Sequence, residues 1–245
     1  MSTPFVSQTQ YGKNEQFNLQ VSRGQIPGHE VVTVFGFASA VSTAFVAVWE
    51  NNAAYVFPTV ASTMLLSSSS ASDTAVTIQI DGLDASYRRI KELVTVTGTA
   101  GVATTNTFWR INSMITTAGV AVGTIFAKNA GGTTYAQIAI GNGRTNMGVY
   151  TVPVDHTLYL SQTDSFSSTS VTSGVFATYR TLVVSDTGIS NIVFTAPFLN
   201  TIAVDRPFPE AFPQKVDLQF QCKSSGAGLA IGTLAICVLI KNFSD

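Results

Sequence analysis

Two histidines, two cysteines, three large aromatic side chains and one glycine run are the parts of this sequence with the greatest chemical potential. Neither histidine has a ligand set beside it. His29-Glu30 is followed by Val31, Val32 and Thr33, so the second histidine of an HExxH zinc site is missing. Asp155 precedes His156, but neighbouring side chains of an extended chain point to opposite faces, so the dipeptide reads as a turn before a strand over 157–160. No G-x-S-x-G elbow or phosphate-binding P-loop occurs. Gly226-Ala227-Gly228-Leu229-Ala230-Ile231-Gly232 resembles a dinucleotide loop, yet such a loop must open a helix inside a βαβ unit, and only 13 residues follow Gly232. It reads instead as a glycine-loosened hairpin entering the last strand. Asp81, Asp84, Glu92 and Asp186 could be nominated for paired-carboxylate hydrolysis, but among 14 acidic residues no spacing singles out a pair. The expectation is no catalytic residue, no cofactor, no metal and no enzymatic activity. Trp49, Trp109 and Tyr150, with Tyr55 and Phe108 near them in sequence, could stack on a sugar ring; the competing reading makes them core residues of strands.

The elements that would have to position these residues are strands. Val76 to Ile80 alternates apolar and polar with period two, and Ile90 to Gly98 follows, with Asp81-Gly82 supplying turn chemistry for a hairpin. Further short β-branched and aromatic runs span 108–114, 120–127, 135–140, 147–152, 175–184, 192–195, 216–221 and 229–240, and Gly141-Asn142-Gly143-Arg144 marks a reversal. No window carries the 3.6-residue apolar stripe of an amphipathic helix. About ten strands at this spacing imply an all-β fold, an antiparallel β-sandwich or jelly roll with little helix. Residues 1–30 read as an extended N-terminal arm and 31–245 as the sandwich domain, with a sub-boundary near 165–173. Residues 67–73 and 165–173 read as loops, and the proline-rich 205–214 as an extended, edge-covering segment.

Charge is scarce. Thirteen Lys and Arg against 14 Asp and Glu make 11% of 245 residues, where soluble domains carry about 25%. The deficit is filled by Thr, Ser, Gly and Asn, while 45% of residues are hydrophobic. Scattered cations and a net charge of -1 argue against nucleic-acid binding and against charged disorder. The uncharged stretch from Val31 to Trp49 has the length of a membrane span but no Leu, Ile or flanking basic bias, so a membrane role is not expected and the purpose of the stretch stays open. The start, MSTPFVSQTQYGKNEQF, lacks a basic region followed by an apolar run, which points to folding in a reducing cytoplasm. Cys222 and Cys237 then read as buried free thiols, although their pairing stays open.

Several words of the sequence resemble a module of virion structural proteins of marine tailed bacteriophages, particularly those infecting cyanobacteria. The matching residues are Ile80, Gly82, Leu83, Asp84 and Tyr87; Thr95 to Gly98; Phe108, Arg110 and Ile111; and Tyr150 to Pro153 with Thr157, Tyr159 and Leu160. Gln10 to Asn14 and Gly24 to His29 are similar to the lead-in of such proteins. The resemblance implies a virion component, made in the host cytoplasm, that self-assembles into a homo-oligomer as a head decoration, neck or tail accessory protein. By analogy it implies a trimer, with other virion proteins such as major capsid, portal or tail proteins as partners. The alternative is a receptor- or carbohydrate-binding β-sandwich on the phage surface. Low charge fits a subunit buried against its copies, because an unpaired buried charge costs several kcal/mol whereas Thr and Ser can be satisfied by backbone partners.

Overall fold

The computed structural model describes residues 15–168, 174–226 and 228–242. A helix, α1 (Phe17–Ser22), leads into β1 (His29–Val41) and the short β2 (Val46–Ala47). Seven strands follow: β3 (Ser62–Ser68), β4 (Val76–Leu83), β5 (Arg89–Val96), β6 (Val102–Phe108), β7 (Arg110–Ala118), β8 (Ile125–Lys128) and β9 (Thr134–Ile138). The chain then makes β10 (Val149–Thr151), β11 (His156–Ser167), β12 (Ala177–Val184), β13 (Ser190–Phe198), β14 (Thr201–Phe212), β15 (Asp217–Ser224) and β16 (Leu229–Lys241). The fold is all-β and antiparallel, as the short β-branched runs require.

Two sandwiches arise from this order. One pairs the sheet β1-β16-β11-β14 with the sheet β10-β15-β12-β13, and β2 extends the latter beside β15. Taken in chain order with β2 set aside, these eight strands change sheet at every connection except the β12–β13 hairpin, as those of a jelly roll do. The other sandwich, β6-β3-β8-β9 over β5-β4-β7, is inserted whole into the first connection of the jelly roll, between β2 and β10. Each has its own apolar core. Leu158, Leu218, Phe220 and Leu239 are fully buried in the first, and Met64, Ile78, Ile80 and Met114 in the second. Burying each such side chain contributes about 1.5–3 kcal/mol. The division therefore falls near Val48 and Val149. Of the span 165–173, residues 165–167 belong to β11 and 169–173 lie outside the described residues.

The count of sixteen strands exceeds the expected ten in part because β3 and β6, rich in Ser, Thr and Asn, have loop-like composition yet pair in a sheet, and in part because the uncharged stretch and the proline-rich segment are themselves strands. The hairpin is also longer than expected. Asp81 and Gly82 continue β4, opposite Lys91 and Ile90, and the turn is made by Asp84, whose Oδ1 accepts the Ser86 and Arg88 N–H groups, and by Tyr87 at φ 62°. Gly226 to Gly232 is not a hairpin, since β15 and β16 lie in different sheets and the segment crosses between them; Ala227 lies outside the described residues. Gly141 to Arg144 likewise joins β9 to β10 across the two sandwiches. Residues 17–22 depart from the extended arm expected over 1–30. Phe17 and Val21, one helical turn apart, share a face; Val21 is buried and Phe17 meets the His29 ring edge-on at 5.9 Å. Residues 1–14 lie outside the described residues. The proline-rich segment is itself the edge strand β14. Between the pairs Leu160–Glu210 and Gln162–Asp205 it bulges out through Arg206, Pro207, Phe208 and Pro209.

The uncharged stretch from Val31 to Trp49 becomes β1 and β2. No helix among the described residues is long and apolar enough to cross a membrane. Its small residues have a packing cause: a Cβ on Gly36 would lie 2.2 Å from the Val48 carbonyl and 2.7 Å from the Gly148 nitrogen, both backbone. At Gly232 the atoms nearest to an added Cβ are those at the far end of the Phe166 ring, a partly exposed side chain that stacks on Phe35, rather than backbone. Gly36→Ala is expected to lower stability by about 1–3 kcal/mol in denaturant unfolding, and Gly232→Ala to cost much less. Equal losses in the two variants would contradict the rigid approach of β1 to the crossing chains.

Candidate functional site

The aromatic residues nominated from sequence sit in separate settings. Trp49, 2% exposed, packs in the second core, donates its indole N–H to the Ala53 carbonyl at 2.6 Å and meets Tyr55 edge-on at 5.1 Å. Tyr150, 8% exposed, lies in the jelly-roll core, where burial pushes its hydroxyl pKa up. Burial of this depth leaves neither ring an open stacking platform, although Tyr150 forms part of the wall of a cleft beside β1. Trp109 is half-buried, with the Arg110 guanidinium 4.9 Å from its ring centroid and Tyr87 edge-on at 6.3 Å. Tyr55 and Phe108 are buried in the second core.

The histidines flank one end of β16: His29 is opposite Ile240 and His156 opposite Lys241. Their Nδ1 atoms lie 3.0 Å from the Pro27 carbonyl and 2.7 Å from the Val154 carbonyl, so each ring is held by its own turn. Cys222 and Cys237 are free thiols in facing sheets, and burial pushes both thiol pKa values well up.

The residues that converge are polar ones at the joint between the sandwiches. Arg110 opens β7 and Asp217 opens β15; they are 6% and 5% exposed. The Arg110 Nε–H donates to Asp217 Oδ1 at 2.9 Å and Nη2 to Oδ2 at 2.8 Å, a two-pronged pair, while Nη1 reaches the Pro58 and Trp109 carbonyls at 2.9 and 3.0 Å. Thr151 Oγ1 of β10 donates to Asp217 Oδ1 at 2.5 Å. Phe57 and Trp109 lie beside the guanidinium at 5.0 and 4.9 Å. Next to it, Asn112 Nδ2 donates to the Thr151 carbonyl at 3.0 Å, and Asn112 Oδ1 accepts the Thr151 N–H at 2.9 Å. Close approach of β4 to β7 is what Gly82 permits, since a Cβ there would lie 2.2 Å from the Arg110 carbonyl oxygen. Gly82, Tyr87, Phe108, Arg110 and the strand holding Tyr150 and Thr151, scattered over some 70 positions of the chain, thus come together at one load-carrying contact.

Asp217 was not nominated from sequence. The alternation Val216-Asp217-Leu218-Gln219-Phe220-Gln221-Cys222 marks a strand with one polar face, and a polar face ordinarily faces water. Here Asp217 is taken up by Arg110 of the second sandwich, and Asp217, Gln219 and Gln221 are all buried.

Beside the joint, β1 and the outer face of β5-β4-β7 enclose a cleft of about 380 Å³, lined by Glu30, Asp81, Arg89, Lys91, Asn112 and Arg144 among others. One of its ion pairs, Arg89 with Glu30, straps the two sandwiches together, and the other, Lys91 with Asp81, lies within the inserted one. Arg89 Nη1 and Nη2 donate to the Glu30 carboxylate at 2.6 and 3.1 Å, and Lys91 pairs with Asp81 at 3.0 Å. The hydrogen bonds from Arg89 hold the Glu30 carboxyl below its usual range against the opposing effect of burial, and the charges of Arg89, Lys91 and His156 add to the lowering. A carboxylate held ionised by a fixed arginine is a poor proton donor or acceptor near neutrality.

Two measurements follow from the joint. Arg110→Met leaves Asp217 buried without its partner and is expected to cost about 3–5 kcal/mol, with the double variant Arg110→Met, Asp217→Leu recovering much of the loss. Additive losses would show that the two side chains do not act as a pair. Glu30 titrates lower in the folded protein than in the unfolded chain, so its contribution is complete above the unfolded pKa and is lost as pH falls through the folded one. Thermal unfolding followed from about pH 6 to about pH 3 should therefore show a steeper loss for the wild type than for Glu30→Gln; identical slopes would remove the strap from consideration.

No family model matches the chain, and no curated protein matches it. Solved structures of viral particles align with most of it. T=1 particles derived from infectious bursal virus align over 89% of this chain and 75% of theirs, at 10% identity and a TM-score of 0.23. T=1 particles of a mutant VP2 protein of infectious bursal disease virus align over 88% and 74%, at 9% identity and 0.20. The Gt strain of infectious bursal disease virus gives 89% and 80%, at 9% identity and 0.18. Superpositions of this quality do not establish a common fold.

Proposed function

We propose that the protein is a structural subunit of a virion that assembles with copies of itself. The observation that carries this reading is the architecture: an eight-stranded jelly roll bearing a complete second sandwich in its first connection, the two fixed by a buried ion pair. Jelly rolls serve viral shells, lectins and cupins, so the fold alone does not choose among them. A lectin reading needs free aromatic faces, whereas Trp49 and Tyr150 are buried and Trp109 stacks on Arg110. A cupin reading needs a gathered set of metal ligands, and no group of three or more His, Cys, Asp or Glu side chains gathers among the described residues. A shell subunit needs none of this chemistry; it needs rigid lobes with largely uncharged outer surfaces.

The tailed-phage assignment rests on the sequence words of residues 80–160 and the lead-in words of 10–14 and 24–29, and five of the matching residues, Gly82, Tyr87, Phe108, Arg110 and Thr151, belong to the joint. On that basis the subunit is a head decoration, neck or tail accessory protein, without a catalytic step, whose other partners are the neighbouring capsid, portal or tail proteins. A threefold assembly is the form suggested by analogy with phage fibres and decorations.

Light scattering coupled to size exclusion should give a mass several times that of one chain, and gold-labelled antibody should decorate purified phage particles from infected cultures. A protein that stays monomeric at every concentration and leaves particles unlabelled would overturn the proposal.

A further inference from the structure

The jelly roll has two outer faces, one on each sheet. Val34, Leu158, Cys237 and Leu239 fill its core from the sheet β1-β16-β11-β14, so the residues that alternate with them stand on the outside of that sheet. These include Val31, Phe35, Leu234, Ile236, Val238 and Tyr159, all half-buried, on three adjacent strands. Among the described residues no strand lies over them. A continuous apolar patch of this kind on a folded subunit marks an interaction surface. Two acids share the face: Asp164, opposite Leu234, and Asp205, opposite Gln162. Burial of Thr163 and Ser165 turns Asp164 outward, where Gln162 Nε2 donates to its Oδ2 at 2.8 Å; Ile202, packed on the core, turns Asp205 outward likewise. Neither acid has an ion-pair partner among the described residues. No cation of these strands stands beside them, since Arg206 turns inward to Thr163 Oγ1 at 2.9 Å and Lys241 alternates with Ile240 to the other side.

The outside of the other sheet has the opposite sign. Tyr179, Leu218 and Cys222 face the core, so Arg180, Leu182 and Lys223 face out. Phe45, which precedes the Val46 paired with Cys222, lies beside both cations, with Arg180 Cζ 4.0 Å and Lys223 Nζ 4.9 Å from its ring centroid. Arg180 Nε donates to Gln221 Oε1, and among the described residues neither cation meets a carboxylate. The one acid of these strands, Asp217, is already taken by Arg110.

Sign and area together select the occupant. Either face laid on its own copy would set like charges against like, whereas the acidic face of one copy laid on the basic face of the next sets opposite charges across the seam. The smaller face, that of β10-β15-β12-β13, is four strands wide and about eight residues long, which projects about 19 Å by about 27 Å, or about 500 Å². The two sides of a seam then cover about 1,000 Å² before the relief of the side chains is counted, which reaches the lower bound for a specific contact.

We propose that the two outer faces of the jelly roll are the two halves of one head-to-tail contact: the acidic, apolar face of β1-β16-β11-β14 on one copy docks on the basic face of β10-β15-β12-β13 on the next. This rests on the self-assembling reading above and names the surfaces it uses. Each copy offers one face of each kind, so the contact is heterologous and repeats, closing into a ring where its rotation closes. Leu234 and Ile236 gain apolar cover, and Arg180 and Lys223 gain the carboxylates they lack within the chain.

The test follows the full-length chain by light scattering and analytical ultracentrifugation over a concentration series, as wild type, Asp164→Lys, Lys223→Glu and the control Lys128→Glu on the inserted sandwich, with circular dichroism to confirm folding. Asp164→Lys and Lys223→Glu are each expected to raise the concentration of half-assembly by at least about tenfold, while Lys128→Glu leaves it unchanged. An equimolar mixture of the first two returns it toward the wild-type value, because the native acidic face of one variant meets the native basic face of the other. Acetylation of Lys223 in the wild type is expected to slow as protein concentration rises, and that of Lys128 to stay constant. A wild-type multimer that both substitutions leave intact, a mixture that fails to recover, or Lys223 acetylation independent of concentration overturns the head-to-tail contact but leaves self-assembly standing. A wild type that is monomeric at every concentration overturns both.

Discussion

A guanidinium removed from water must have all its donors answered by protein, and in this molecule that demand fixes the relation of two otherwise separate cores. Arg110 belongs to the inserted sandwich and Asp217 to the jelly roll, and the pair is completed by the carbonyls of Pro58 and Trp109 and the hydroxyl of Thr151. Each of these comes from a different part of the chain. Apolar contact alone would let two lobes slide on one another, because it is nearly indifferent to direction. A planar fork meeting a planar carboxylate tolerates little rotation. The interface that results has a buried polar pair within it, and farther along β15 Gln219 and Gln221 are buried too, held within the jelly roll by Arg180 Nε, which donates to Gln221 Oε1 at 2.7 Å, and by the bond from Gln221 Nε2 to Gln219 Oε1 at 2.6 Å.

The strands were legible where composition and period agree. Val76 to Ile80 and Val216 to Cys222 alternate cleanly, and both are strands. β3 and β6 were hidden because Ser, Thr and Asn serve loops and neutral strands alike, and the sheet partners that decide between them are remote in sequence. The same remoteness concealed the joint. Nothing within a dozen residues of Arg110 or Asp217 announces the other, and an acid on the polar side of an alternating strand gives no sign that a second layer lies over it. The split into two cores was invisible for a related reason: the crossings at Val48 and Val149 carry no charge run or composition shift, and at Val149 the chain runs straight into β10. Trp49 and Tyr150, flanking those crossings, were noticed for their ring chemistry and prove to be where each core begins.

Scarcity of charge takes on a sharper meaning in this setting. Five ion pairs occur among the described residues, and two of them, Arg110 with Asp217 and Arg89 with Glu30, run from one sandwich to the other. The few charges are therefore concentrated where orientation must be specified. Elsewhere Thr and Ser do the polar work, as in the hydrogen bond between the Thr77 and Thr95 hydroxyls at 3.0 Å across β4 and β5. Such hydroxyls hydrogen-bond without imposing a sign on whatever surface they meet.

The two chain crossings that carry the inserted sandwich are bonded to each other: the Gly148 N–H donates to the Val48 carbonyl at 2.8 Å, and both strands lean on Phe220 of β15 through the Val48 N–H at 3.0 Å and the Gly148 carbonyl at 2.8 Å. Entry and exit thus lie a single hydrogen bond apart, at the point where Gly36 lets β1 press close. Topologically the inserted lobe is a cassette. Any other domain whose ends lie equally near could occupy the same socket without disturbing how the jelly roll is built.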